Sequence, residues 1–131
     1  MKPSFLLDSS ACIPVLRNQA GLGKLPDPAL TGISVIVAAE LWTGVKKNLA
    51  THPQQAKRLE AFLSFFSLAD FTLDAALHYA DIRAALETAG TPIGPLDLLI
   101  AAQARSLGAT LVTANVGEFK RVKGLKVLVW K

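Results

Sequence analysis

Phe5-Leu6-Leu7-Asp8-Ser9-Ser10 opens the chain with three apolar residues that stop at a carboxylate. Such a run reads as a short buried strand. Ser9 to Asn18 then reads as a short helix, in which Pro14 fits only near the first turn. A strand running straight into a helix is the first half of a βαβ unit, and the same alternation continues outward from it. Gly21 to Thr31 is rich in glycine and proline and reads as loop. Ile33–Val35 is a second strand, followed by a helix over Val37–Asn48 with Val37, Leu41 and Val45 on one face. Pro53–Phe66 is amphipathic, Ser67–Thr72 is a strand, and Asp74–Ala89 is a helix ended by Gly90. Thr91-Pro92-Ile93-Gly94 is a turn. Pro95–Leu107 is a helix with proline in its first turn and Gly108 just past its end. Thr110–Thr113 and Leu125–Trp130 are the remaining strands. Strands alternating with helices argue for a parallel sheet covered on both faces. In such a sheet the functional crevice lies beyond the carboxyl ends of the strands.

The length of 131 residues suits one domain, residues 1–131. With 51% hydrophobic and 18% charged residues, disorder is excluded. No apolar run approaches the ~20 residues of a membrane span; the longest, Ile33–Val45, carries Glu40 in its middle. Ser9-Ser10-Ala11-Cys12 looks faintly like a lipoprotein cleavage box, but the apolar run before it is too short for an export signal. The single Cys12 excludes an internal disulfide and a multi-thiolate zinc site. A reducing, cytoplasmic location is the expectation. The net charge of +4 is compatible with a polyanionic partner.

The residues that follow the strands are the candidates for chemistry. Asp8 reads equally as an N-cap or as a metal-binding carboxylate. Glu40 lies among apolar neighbours, where an ionised carboxylate needs a cation or donors; the alternative is an exposed stripe that pairs it with Lys47 or water. Asp97 falls in the first turn of its helix, where the dipole alone would favour it. However, the apolar helix behind it argues for a crevice. Asn115-Val116-Gly117-Glu118 has capping-box spacing, which would account for both polar residues; the functional reading makes them further oxygen donors. Asp8, Glu40, Asp97 and the Asn115/Glu118 pair, without His or Cys, suit Mg²⁺ or Mn²⁺ rather than Zn²⁺.

Here a resemblance becomes specific. Phe5-Leu6-Leu7-Asp8-Ser9-Ser10 resembles the opening strand of PIN-domain proteins, and Ala39-Glu40-Leu41-Trp42-Thr43-Gly44-Val45 their A-E-L-x-x-G segment. Gly90-Thr91-Pro92-Ile93-Gly94-Pro95-Leu96-Asp97-Leu98-Leu99-Ile100-Ala101-Ala102 is similar to their G-x-P-I-G-x-x-D-x-x-I-A stretch. Leu107 to Phe119 resembles their L-G-A-x-L-V-T-x-N-x-x-E-F ending, and Val122 to Val127 their tail. The nearest group is the VapC-type toxins of type II toxin–antitoxin systems. The resemblance implies an α/β fold, a three-layer α/β/α PIN-like domain with a central, mostly parallel sheet. It implies a Mg²⁺- or Mn²⁺-dependent endoribonuclease in which Asp8, Glu40 and Asp97 hold the metal. Asn115 or Glu118 completes the site, and Ser9 and Thr113 contact substrate. It also implies a homodimer, or a higher toxin–antitoxin complex, held inactive by a cognate antitoxin, for which Ile13, Leu16, Trp42 and the Pro53–Phe66 helix are candidate contacts. The chain departs from the family pattern at Ser10, which lacks the amide usual there to fix the loop, and at Asn115, neutral where many relatives have Asp.

A non-catalytic PIN domain that binds RNA or protein is the alternative that the neutral Asn115 keeps open. A phospho-accepting receiver domain ranks below it, for want of an acidic pair after the first strand; no G-x-G-x-x-G supports dinucleotide binding. Lys120, Arg121, Lys123 and Lys126 would make a basic rim for RNA or ordinary solvated charge. Arg83 either approaches the site or pairs with Glu87. His52, His78 and Cys12 read as structural, and Trp42, Phe62, Phe65 and Phe66 as core or interface.

Overall fold

The computed structural model describes residues 2–130. Its strands are β1 (Phe5–Leu7), β2 (Thr31–Ser34), β3 (Ser67–Ala69), β4 (Thr110–Thr113) and β5 (Lys126–Val129). Its helices are α1 (Ser9–Leu16), α2 (Val35–Lys47), α3 (Gln55–Leu63), α4 (Leu73–Thr88), α5 (Pro95–Leu107) and α6 (Val116–Phe119). The sheet order is β3-β2-β1-β4-β5, and every pairing is parallel. The chain winds outward from β1 to β3, then crosses back to β4. The strand order therefore reverses between β1 and β4, where Leu7 lies beside Val112. Helices α1, α2 and α3 pack together, as do α4 and α5. Right-handed crossovers put these two groups on opposite faces of the sheet.

Burial explains the strand sequences. Leu6, Leu7, Ile33, Leu111 and Val112 lie in the three inner strands β2, β1 and β4, covered on both sides, and all are buried. The edge strands are poorer: Leu68 on β3 and Leu128 and Val129 on β5 remain exposed. Helix α5 is the central apolar element, with Leu98, Ile100, Ala101, Ala102 and Ala104 buried. It ends as expected at Gly108, whose φ of 65° is left-handed and suits glycine. No helix among the described residues is long and apolar enough to cross a membrane.

The boundaries differ from the sequence reading where a cap decides them. Ser34 accepts a hydrogen bond from Ile36 N–H (3.0 Å) and starts α2 at once, so β2 begins at Thr31 and ends before Val35. Thr72 caps α4 through Ala75 N–H (3.2 Å), which cuts β3 short. Helix α1 stops at Leu16, ahead of Asn18 at φ 57°, and carries Pro14 in its second turn rather than its first. At the far end, Trp130 N–H donates to the Thr113 carbonyl (2.8 Å) and ties the C-terminal segment to the end of β4.

Candidate active site

The strand reversal brings Asp8 and Thr113 side by side. Asp8 is buried and lies just beyond β1, its N–H donating to the Val112 carbonyl (3.1 Å). Both readings of this residue hold at once. Its Oδ1 caps α1 by accepting from Ala11 N–H (3.1 Å), and also accepts from the Ser10 hydroxyl (2.6 Å). Its Oδ2 accepts from the Thr113 hydroxyl. Ser10 Oγ in turn accepts from Ala114 N–H (2.9 Å) and stands 3.2 Å from Thr113 Oγ1, which accepts from Asn115 N–H (2.9 Å). Two hydroxyls and two loop amides thus fix one carboxylate. Sequence reasoning missed Ser10, treating it as a lost amide; its hydroxyl joins the two loops instead. The available signal was a hydroxyl two residues after a strand-end aspartate, a spacing suited to local side-chain hydrogen bonds. Ser9 is half-buried at the first position of α1.

Glu40 projects from α2 and is not an exposed partner of Lys47. Its Oε1 is buried and has no hydrogen-bond partner. Burial, then the charge of Asp8, raise its pKa above the usual value. A buried acceptor left unpaired needs a donor or a cation.

Asp97 stands in the first turn of α5, half-buried, and Glu118 on α6 faces it. Burial comes first in pushing the Asp97 carboxyl up from 3.8 to about 7, followed by its hydrogen bond with Glu118 and the charges of Glu118, Asp8 and Glu40. Between Asp97 and Glu118 lies Gly94, the N-cap of α5, whose N–H donates to Glu118 Oε2 (3.4 Å). A methyl group on Gly94 would stand 3.7 Å from Asp97 Oδ2 and 3.9 Å from Glu118 Oε2. The capping box that this spacing would allow does not form: Asn115 makes no side-chain cap bond, and Glu118 turns to Gly94 instead. Asn115 itself is exposed at the rim.

Four carboxylates from four separate segments therefore share one electrostatic neighbourhood. Among the described residues no group of three acidic, His or Cys side chains forms a ready cation shell. The donor chemistry nevertheless fits a hard divalent cation: the donors are all oxygen, Glu40 Oε1 is orphaned, and burial and neighbouring negative charge raise the pKa of Glu40 and Asp97, a strain that a cation would relieve.

The remaining candidates fall outside this centre. Arg83 pairs with Glu87 (2.7 Å). His78 accepts from Arg105 Nε (2.8 Å), and His52 Nδ1 lies 2.9 Å from the Thr51 hydroxyl. Cys12 is fully buried, its thiol pushed up by burial and then by Asp8. Phe62 and Phe66 pack with centroids 5.1 Å apart, whereas Phe65 is exposed.

The family model of the PIN domain matches residues 5–125. The chain belongs to this family. Its relatives include VapC proteins of nearly equal length. A "tRNA(fMet)-specific endonuclease VapC" of Salmonella typhimurium is 36% identical over 129 residues, covering 96% of this chain and 97% of the relative. "Ribonuclease VapC2" of Rickettsia felis is 37% identical over 131 residues, with the same coverage, 96% and 97%. Among solved structures, DNA-bound VapBC from Salmonella typhimurium superposes with a TM-score of 0.90 at 34% identity, covering 98% of this chain and 99% of that one. VapBC2 from Rickettsia felis, bound to a promoter DNA fragment, gives 0.86 at 34% identity, covering 97% and 98%.

Proposed function

We propose that this protein is a Mg²⁺- or Mn²⁺-dependent endoribonuclease that hydrolyses RNA phosphodiester bonds, a VapC-type toxin restrained by a cognate antitoxin in the cytoplasm. The observation that carries the reading is the Asp8–Glu40–Asp97–Glu118 neighbourhood, in which each raised carboxyl feels another carboxylate. Asp8, Glu40 and Asp97 would hold the metal. When bound, a divalent cation supplies positive charge at the scissile phosphate and lowers the pKa of water. Ser10 and Thr113 orient Asp8. Glu118 faces Asp97 and supplies the fourth carboxylate of the site. Thr113 and Ser9, with Asn115 at the rim, are the polar groups nearest the strand ends for contacting RNA.

The antitoxin reading is supported by a groove between α1, α2 and α3. Ile13, Leu16, Leu41, Val45 and Leu59 line it, and Glu40 lies within it. An amphipathic segment filling this groove would bury apolar surface and reach the acidic site at the same time. Pairing into a homodimer is part of the same reading.

The test is cleavage of a mixed RNA substrate by purified protein with Mn²⁺, with EDTA, and with Asp8→Asn. Cleavage that needs the metal and disappears in Asp8→Asn is expected. Cleavage that survives EDTA or the substitution refutes the metal mechanism. Without any cleavage, RNA binding that persists in EDTA would favour the non-catalytic binding module.

A further inference from the structure

The turn between α4 and α5 sets where Asp97 and Glu118 meet, and one side chain reaches it from the other side. Arg121 NH1 donates to the Pro92 carbonyl (3.1 Å). Arg121 N–H donates to the Glu118 carbonyl (3.1 Å), and Phe119 and Val122 are buried, so the backbone beneath the exposed Arg121 side chain is anchored. Two residues beyond Pro92, Gly94 N–H meets the Glu118 carboxylate (3.4 Å), and the Gly94 carbonyl accepts the first α5 bond from Leu98 N–H (2.9 Å). The contacts close a ring: Glu118, Arg121, Pro92, Gly94 and back to Glu118. The position of Gly94 fixes the start of α5 and hence the height of Asp97 in its first turn.

A competing role is contact with an RNA phosphate. Arg121 also borders a cavity shared with Arg105 and Lys123. Arg105 is already engaged by Asp81 (2.6 Å) and His78 (2.8 Å). The bond to Pro92 likewise occupies one arm of the Arg121 fork and points it at protein.

We propose that Arg121 is a positioning residue: it clamps the Pro92 carbonyl and so fixes the turn that brings Asp97 against Glu118. The catalytic arm of its test rests on the nuclease reading; the structural arm does not. In Arg121→Ala, kcat for RNA falls roughly 10–100-fold, the cost expected of a displaced reacting group, while KM and its salt dependence stay within twofold of wild type. In the same protein without RNA, hydrogen exchange of the bonded Thr91 and Gly94 amides quickens at least tenfold while the sheet amides keep their protection. If Arg121→Ala does not fold, Arg121→Lys is read instead, with a single ammonium nitrogen in place of the planar fork and intermediate losses in both readouts. An unchanged kcat with unchanged exchange overturns the proposal. So does a raised KM whose salt slope falls by about one, the mark of a lost phosphate contact. A wild-type protein that cleaves nothing would remove the nuclease reading, and the exchange experiment would still decide the clamp.

Discussion

Asp97→Asn should make the protein more stable and less active, and the gain should depend on pH. Raising a carboxyl from 3.8 to about 7 corresponds to about 4 kcal/mol of unfavourable ionisation at ~1.4 kcal/mol per pH unit. Asp97 is only half-buried, and solvent screening reduces this to about 1–2 kcal/mol. The sign follows from linkage. The unfolded chain releases this proton near 3.8, whereas the folded protein holds it to about 7. Stability is therefore greatest below 3.8, declines as pH rises toward about 7, and carries the whole penalty above that. Asparagine never pays it. In EDTA at pH 8 the variant should melt about 3–8 °C above wild type, and the two should coincide below pH 4. RNA cleavage should be lost throughout. Adding Mn²⁺ should stabilise the wild type more than the variant, because a ligand that binds only the folded state raises its stability. Thermal melts at pH 4 and pH 8, with and without metal, decide the matter. A variant less stable than wild type at pH 8, or equally stabilised at both pH values, would refute the charge argument.

Other substitutions probe the parts separately. Ser10→Ala removes one of the hydroxyls on Asp8 and leaves Ala114 N–H without its acceptor; a loss of about 1–2 kcal/mol in urea unfolding is expected, with cleavage reduced. Gly94→Ala adds a methyl between Asp97 and Glu118 at an ordinary backbone geometry (φ −57°), so melting should change little while Mn²⁺ affinity, read by titration calorimetry, falls. Gly108→Ala places a side chain at φ 65° and should cost about 1 kcal/mol in the same urea assay, with kcat unchanged.

The large features were legible because they follow from periodicity and punctuation. Helix α5 was readable to the residue, since Pro95 opens it and Gly108 closes it. The parallel sheet followed from alternation, and the candidate carboxylates were singled out by their places near strand ends and helix turns. What escaped depended on side chains reaching across loops. Thr72 could be read as a strand residue until its hydroxyl was seen capping α4, and Ser34, which ends β2, also caps α2. Ser10 resembled a missing amide because its partners, Thr113 and Ala114, lie about a hundred residues away. The Asn115–Glu118 spacing promised a local cap, but the glutamate found a distant amide at Gly94. Local sequence cannot rank a near partner against a far one.

The bond from Trp130 to the Thr113 carbonyl makes the tail a distant guardian of the reactive centre. Thr113 holds Asp8, and the tail holds Thr113. A premature stop that spared every acidic residue would still slacken the backbone behind them, so mutations that silence such a gene need not touch its chemistry at all.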